Sequence, residues 1–450
     1  MIVTKFGGTS VADETAIVRL VEIVRRCVPE IPLVVVSALA GVTDALLTLA
    51  RKAETDDEAA IDDGINELLG RHERIAQVFP AAASAFETIV GEAADLRRQL
   101  DEVQGRSATA RELDAIASLG ELWSSRLVAA ALVESGLEAR WVDIRPLMVT
   151  DDRFTRATPY VQIVNTRARD CLQPLCQAGL IPVTQGFIGS TATGVPTTLG
   201  RGGSDFTAAL LGAALNAKRV EIWTDVDGLM TADPRIVRSA RTLTRATYDE
   251  AAELATFGAR VLHPATALPL VRAGIPMVIL NSTRPDGKGT TIEPEAMLEQ
   301  VGDSPIRSIS WKRGITVINI RAPRMLGAYG FLRALFEVFE RFETAVDVLA
   351  SGEVSVSLTI EDRSRLPALL RDLETLGEVW VEERRAIIAV VGIGLRNTPG
   401  LAARVFNAVW PANVEVISQG ASSINMTFVV REEDGPDVVR RLHREFFGSD

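Results

Sequence analysis

The residues with chemistry to offer in this sequence gather around two glycine pairs. Thr198-Leu199-Gly200-Arg201-Gly202-Gly203-Ser204-Asp205 runs straight into an alanine- and leucine-rich stretch, Ala208 to Ala217. A glycine turn that opens a helix points unpaired N–H groups and the positive end of the helix dipole at one spot, and anions bind there. Arg201 adds a planar fork suited to a carboxylate or phosphate. Asp205 is the odd member: a negative charge at an anion site holds a cation, either a lysine or a metal ion. A surface arginine beside a helix-capping Ser or Asp explains the same residues equally well, and the second glycine pair shifts that balance. Met1-Ile2-Val3-Thr4-Lys5-Phe6-Gly7-Gly8-Thr9-Ser10 is a β-branched run, a lysine and two glycines, followed by apolar residues at helical spacing (Ala16, Ile17, Leu20, Val21, Val24). Strand, glycine turn and helix are the order of a phosphate cradle. Here the lysine precedes the glycines, unlike the P-loop, so it lies at the strand end and points at the phosphates.

Three further groups belong to the same chemistry. Leu33–Ala38 has the character of a buried strand, and Ser37 and Thr43 follow at its C-terminal end, the edge where open α/β sheets bind ligands. They read equally as caps of the next helix. Glu121 stands among apolar residues in Ala115–Ser124. It is either a surface residue between buried ones or a buried carboxylate that needs a cationic partner, such as a substrate ammonium.

The elements that must position these groups follow from periodicity. Strands are expected near Ile2–Phe6, Leu33–Ala38, Arg140–Asp143, Ile181–Gly189, Arg219–Gly228 and Pro276–Asn281. Helices alternate with them, including a long run from Leu49 to Arg111 in which His72 reads as solvent-facing. This alternation predicts an α/β domain with a mainly parallel sheet covered by helices on both faces. His263, before Pro264, reads as structural. After a polar stretch from Glu293 to Pro305 the rhythm changes to β-α-β-β-α, and the unit recurs: Ile315–Leu376, then Ile387–Phe446. Gly330 and Gly400 stand at the start of the first helix of each unit.

Composition bounds the partners. The chain has 450 residues and a formal charge of −11, so a nucleic acid, which needs clustered Lys and Arg, is excluded as main partner. Three cysteines without metal-type spacing predict a reducing, cytoplasmic setting and no metal site of the protein's own. No uninterrupted apolar run has the length of a bilayer span, and no membrane partner is expected.

In order and wording, the motifs Lys5-Phe6-Gly7-Gly8-Thr9-Ser10, Gly200-Arg201-Gly202-Gly203-Ser204-Asp205, Trp223-Thr224-Asp225-Val226-Asp227-Gly228 and Phe257-Gly258-Ala259-Arg260-Val261-Leu262-His263-Pro264 resemble the aspartokinase family, closest to its single-chain lysine-sensitive type. The resemblance covers essentially the whole chain. It implies the amino-acid kinase fold over 1–295, followed by two α+β ferredoxin-like ACT units at 306–385 and 386–450, with the short strand 306–312 open to assignment to the second. It implies ATP-dependent phosphorylation of the β-carboxylate of L-aspartate to 4-phospho-L-aspartate, with Mg²⁺, as the first step toward lysine, threonine and methionine. In that scheme Lys5 reaches the transferring phosphate and Asp205 orients it. Gly7, Gly8, Gly202 and Gly203 let backbone N–H groups approach the phosphates. Arg201 clamps the α-carboxylate of aspartate and Glu121 pairs with its α-ammonium, while Ser37, Thr43, Phe187 and Ser204 complete the pocket. Thr224, Asp225, Met230, Arg235, Arg260 and Val261 line the nucleotide site. Met325, Gly330, Asp347, Ser351 and Glu353 match effector positions, with lysine ranked above threonine, and the ACT units imply a homo-oligomer, dimer or tetramer. Departures from the family pattern are Met230 for a tyrosine, Arg260 for a lysine, and Gly327, Ala328, Ala345 and Gly352 for polar or bulkier residues.

Two rivals are considered. Another kinase of the same fold would act on glutamate, acetylglutamate, carbamate or UMP; Arg201 with Glu121 favours a free amino acid. A catalytically silent amino-acid sensor is disfavoured by intact Lys5, Arg201 and Asp205.

Overall fold

The computed structural model describes residues 1–55, 58–257, 264–294, 305–325 and 329–448. The chain divides into two compact units. One comprises Met1–Leu229, Thr244–Tyr248 and Val261–Leu298; the other comprises Met230–Leu243, Asp249–Arg260 and Glu299–Asp450.

The first unit is built on β1 (Ile2–Phe6), β2 (Pro32–Val36), β3 (Ala139–Trp141), β4 (Val149–Thr150), β5 (Ile181–Gln185), β6 (Ile188–Thr191), β7 (Pro196–Thr198), β8 (Val220–Thr224), β9 (Arg245–Thr247), β10 (Met277–Asn281) and β11 (Thr290–Glu293). Eight of them form one sheet in the order β3-β5-β2-β1-β8-β10-β11-β9. Every pairing in it is parallel except β10 with β11. All residues of β1, β2 and β5 are buried, as β-branched runs are in a sheet covered on both faces. The chain passes from β1 to β2 on one side, and β8 joins β1 on the other. The C-terminal ends of these strands therefore flank a topological switch point, where ligands of open α/β sheets bind. A small sheet, β4-β6-β7, leads into the second glycine pair.

Among the helices, Ala110–Glu134 matters most. Its Thr109 side chain accepts from the Glu112 N–H and Glu112 reaches back to Thr109, a capping box that fixes its start. By length and composition this 25-residue helix could cross a membrane, but it is no uninterrupted apolar run, since Asp114, Glu121 and Arg126 interrupt it, and most of it is buried inside the first unit. His72 also departs from expectation. It is fully buried, edge-on to Trp123 with ring centroids 5.3 Å apart, and its Nδ1 lies 2.7 Å from the Leu68 carbonyl. A helix packed among helices has no solvent face where the sequence suggested one.

The second unit contains β12 (Ile306–Arg321), β13 (Leu349–Ser351), β14 (Ser355–Ile360), β15 (Glu378–Gly392), β16 (Val416–Gln419) and β17 (Asn425–Arg431), in one antiparallel sheet ordered β13-β14-β12-β15-β17-β16. The two recurring units share it, because β12 and β15 are long strands that run through both halves. Their pairing shifts register between Lys312 and Ile315, and between Ile315 and Val317. One apolar core gathers Ile318, Ile320, Leu335, Phe339, Leu358 and Leu369. The other gathers Ile306, Ile309, Ile388, Val405, Phe428 and Leu442, together with Ala232 and Val237. Residues 306–312 thus pair and pack with the C-terminal half, and the stretch after β8 joins them: the Ile309 N–H donates to the Thr231 carbonyl at 2.9 Å.

Candidate active site

Lys5 lies near the C-terminal end of β1, almost fully buried. Its Nζ is 2.7 Å from Asp205 Oδ1, an acid in the first turn of the helix Gly203–Ala214. Of the two partners open to Asp205, the structure supplies the lysine. A Cβ added at Gly7 would stand 3.5 Å from that Nζ, so the glycine leaves the ammonium open to the turn. Gly202 caps the helix from the left-handed region at φ 74°, which only glycine adopts without strain. A Cβ at Gly8 would lie 3.0 Å from the Ala38 carbonyl oxygen, so the turn after β1 presses against the segment after β2.

Two of the four glycines engage their own amides within the protein. The Gly7 N–H donates to the Trp223 carbonyl at 3.0 Å, and that of Gly203 to the Gly200 carbonyl at 3.0 Å. Gly8 and Gly202 are left as the candidate phosphate donors of the set.

A cavity of about 210 Å³ opens beside this pair, lined by Gly8, Ser37, Thr43, Asp44 and Glu121 among others. Glu121 is buried in the helix Ala110–Glu134. The Ala38 N–H donates to it, yet burial dominates and pushes its carboxyl up to about 8. Its Oε2 has no hydrogen-bond partner among the described residues. A buried acid with one orphaned oxygen, in the lining of a cavity, is suited to a cationic ligand.

Phe187 and Ser204 meet on the other side of the glycine turn. Phe187 has φ 67°, a conformation that a residue with a Cβ adopts at a cost of roughly 1–2 kcal/mol. Its N–H donates to Thr207 Oγ1 at 3.2 Å, and the Thr207 hydroxyl donates to the Gly203 carbonyl at 2.9 Å. A Cβ at Gly186 would be 2.6 Å from Ser204 Cβ, and one at Gly203 would be 2.8 Å from Phe187 Cδ2. Arg201 stands at the tip of this turn, exposed to solvent.

Thr224 and Asp225 follow β8, with the Thr224 hydroxyl 3.2 Å from Asp225 Oδ1. The neighbouring Trp223 carbonyl receives both the Gly7 N–H and the Ser10 hydroxyl. Asn281, which the sequence reading did not single out, donates to Asp227 Oδ1 at 2.7 Å and accepts from the N–H and hydroxyl of Thr283. Its signal was available: a polar residue ending a strand at the ligand edge. Asp114 was also missed. It accepts from Thr155 and from both donors of Thr198, and nothing distinguished it in an acid-rich helical run.

Met230 and Arg235 belong to the second unit. The Met230 carbonyl accepts from the Ser308 hydroxyl, and the exposed Arg235 is held by both oxygens of Asp233. Arg260 and Val261 lie outside the described residues, as do His263, Gly327 and Ala328. Of the effector positions, Met325 packs against the core of the first ACT-like half, and Gly330 caps the helix Phe331–Arg341 from φ 86°. Ser351 and Glu353 are exposed. Asp347 is engaged within the protein: Lys312 Nζ lies 3.0 Å from its Oδ1 and 2.9 Å from Glu361.

Comparison with known proteins gives a consistent result. Residues 1–281 match the amino acid kinase family, and residues 388–446 match the ACT domain. The chain is 39% identical to lysine-sensitive aspartokinase 3 of Escherichia coli over 99% of each chain. Its structure is similar to that of E. coli aspartokinase III in complex with aspartate and ADP, with a TM-score of 0.82 and 37% identity over 99% of this chain and 100% of the other. It is similar also to the same enzyme in complex with lysine and aspartate, with a TM-score of 0.83 and 99% of each chain covered.

Proposed function

Since this chain belongs to the aspartokinases of the amino acid kinase family, we propose that it transfers the γ-phosphoryl group of ATP to the β-carboxylate of L-aspartate, using the residues gathered at the C-terminal ends of β1, β2 and β8. The observation that carries this reading is the buried Lys5–Asp205 pair at the open side of Gly7. A carboxylate is already a nucleophile at neutral pH, so the reaction needs no general base. It needs acceptor and phosphoryl group in line, and neutralisation of the charge spreading over the phosphoryl oxygens. Lys5, held by Asp205, supplies a fixed cation where that charge develops. Gly8 and Gly202 supply N–H donors, and the helix Gly203–Ala214 adds its positive end. Mg²⁺ enters with ATP as the metal–nucleotide substrate, coordinated chiefly by phosphate oxygens. Thr224 and Asp225 border the nucleotide in the first unit, and Met230, Arg235, Arg260 and Val261 complete the set that the family pattern implies.

Aspartate fills the cavity beside Gly8. Its α-ammonium meets Glu121, its α-carboxylate meets Arg201, and Ser37, Thr43, Phe187 and Ser204 border it. The E. coli enzyme was crystallised with aspartate and ADP, which supports this acceptor. The segments 1–295, 306–385 and 386–450 are proposed as catalytic and regulatory parts, with 306–312 assigned to the last of them. Lysine is the proposed effector, through Met325, Gly330, Asp347, Ser351 and Glu353; the lysine-bound E. coli structure supports it. Leu332 and Phe336, one turn apart on the helix Phe331–Arg341, expose apolar surface that would suit a homo-oligomer contact. The test is ADP release with aspartate, with glutamate and without acceptor. Aspartate-dependent turnover alone is expected; equal turnover with glutamate, or none with either, refutes the reading.

A further inference from the structure

The helix that carries Glu121 carries a second buried acid, Asp114, seven residues earlier, so the two share a face two turns apart. Asp114 is the meeting point of two loops. Its Oδ2 accepts the Thr155 N–H at 2.8 Å and the Thr198 N–H at 2.9 Å, and its Oδ1 accepts the Thr198 hydroxyl at 2.6 Å. Thr198 ends β7, three residues before Arg201. The tie is continued on both sides. The Thr198 carbonyl accepts the Ala157 N–H at 2.8 Å, and the Leu199 N–H donates to the Phe187 carbonyl at 2.8 Å. Gly200, at φ 74°, brings its Cα so near the other loop that a Cβ would be 3.2 Å from the Thr155 carbonyl oxygen. The Gly203 N–H then returns to the Gly200 carbonyl. From Thr198 to Gly203 the turn is fixed at both ends, while Arg201 at its tip faces solvent.

We propose that Asp114 is a positioning residue for the acceptor: it sets where Arg201 and Ser204 stand relative to Glu121, because one rigid helix carries both acids. This rests on the reading that Arg201 and Glu121 grip the two ends of aspartate. Such a grip has a fixed span, about that of a free amino acid. A helix holding one jaw directly and the other through two hydrogen bonds to Thr198, braced by a third to Thr155, keeps that span constant. Displacement of a binding group by about 1 Å is enough to lose roughly a hundredfold in rate.

The test compares KM for aspartate, KM for MgATP and kcat in the full-length enzyme. Asp114→Ala strands three donors and releases the turn, and should raise the aspartate KM about tenfold or more with MgATP KM within about twofold. Asp114→Asn is the rescue: its amide oxygen can accept both N–H groups while its NH₂ donates to the Thr198 hydroxyl, and aspartate KM should stay within about threefold of the parent. Thr198→Val removes only the hydroxyl contact and covers the case in which Asp114→Ala does not fold; it should raise aspartate KM about threefold with MgATP KM unmoved. A purely structural role would lower the melting temperature and the active fraction, leaving the aspartate KM of the remaining enzyme unchanged, and that result overturns the inference. Arg201→Ala separates the two levels. If it raises the aspartate KM and neither Asp114→Ala nor Thr198→Val does, Asp114 is not a positioning residue. If none of the three moves it, the assignment of Arg201 itself falls, and this inference with it.

Discussion

Aspartate should bind with release of a proton, and Glu121 is its source. Burial holds the Glu121 carboxyl at about 8, against an ordinary value of 4.5. At pH 7 a group of that pKa is about nine-tenths protonated. An α-ammonium placed against it favours the ionised form and drives the proton off. Binding at pH 7 should then release close to one proton, about 0.9, and be roughly tenfold weaker than at the alkaline plateau. The sign is fixed: binding lowers this pKa, so affinity rises with pH, by about fiftyfold between pH 6 and pH 8 when the ionised fractions are compared. Calorimetric titration at pH 7 in buffers of different ionisation enthalpy counts the proton directly. Glu121→Gln should bind aspartate more weakly, release no proton and show a flat profile. Without ligand, an acid whose pKa is raised on folding stabilises below its unfolded value, and that stability is lost as pH rises from 4.5 through 8. Glu121→Gln should accordingly melt higher than the parent at pH 8.5. A parent protein that binds aspartate at pH 7 with no proton release, and equally well at pH 6 and pH 8, would refute the reasoning.

Lys5→Ala should lower kcat by about three orders of magnitude or more, since the contact acts on charge that develops in the transition state; near-parental turnover removes Lys5 from the mechanism. Arg201→Ala should raise the aspartate KM, and Arg201→Lys should restore it only in part because the fork is lost; equal KM in all three enzymes is the contrary result. Asp347→Ala should retain turnover and lose inhibition by lysine, measured by titrating lysine against the kinase assay; threonine titrated in parallel should act weakly, and indifference to millimolar lysine in the parent would sink the effector assignment. His72, pushed down to about 4 by burial, should make the fold acid-sensitive. The unfolded chain binds a proton below 6.5 and the folded chain resists until 4, so roughly 3 kcal/mol is lost across that window. His72→Phe should flatten the melting temperature over it, and an unchanged slope contradicts the account.

The parallel sheet was legible because Ile2–Phe6, Leu33–Val36 and Ile181–Gln185 are short, β-branched runs with glycine or hydroxyl residues just past them, which is what a strand entering a ligand edge looks like. Lys5 and Asp205 were each legible as charges near glycines. That they pair is a tertiary fact, produced when β1 and the helix after Gly202 meet, and no spacing in the chain encodes it. The amide partners were likewise hidden: that the N–H groups of Gly7 and Gly203 are taken by the Trp223 and Gly200 carbonyls is visible only in the fold. Local periodicity also fails where strands run through a register shift. Glu378–Arg385 mixes Val379, Trp380 and Val381 with charged residues and none of it is buried, so β15 was expected only from Ile387, although it begins at Glu378. His72 failed for a related reason, since a polar residue in a helix looks solvated until neighbouring helices enclose it.

Asp114 and Glu121 show what separates a buried acid satisfied within the protein from one kept for a ligand. Both sit on one face of one helix, and burial raises both carboxyls. The difference is in the donors. Asp114 receives hydrogen bonds from Thr155 and Thr198 that pull its value back down, and three good donors to an ionised carboxylate repay most of its desolvation. Glu121 receives the Ala38 amide, and its second oxygen is left without a partner at a cavity wall. An uncompensated acid of this kind destabilises the ligand-free fold, and natural sequences keep such groups where binding relieves them. The helix therefore holds one carboxylate satisfied by the turn it positions and another that is satisfied only when an ammonium arrives. Exchanging their environments should exchange their behaviour. Ala38→Pro, which deletes the Ala38 backbone donor to Glu121, should push its pKa further up and shift the aspartate-affinity profile to higher pH without altering the number of protons released at its midpoint, a displacement that calorimetry across pH 6 to 9 would resolve.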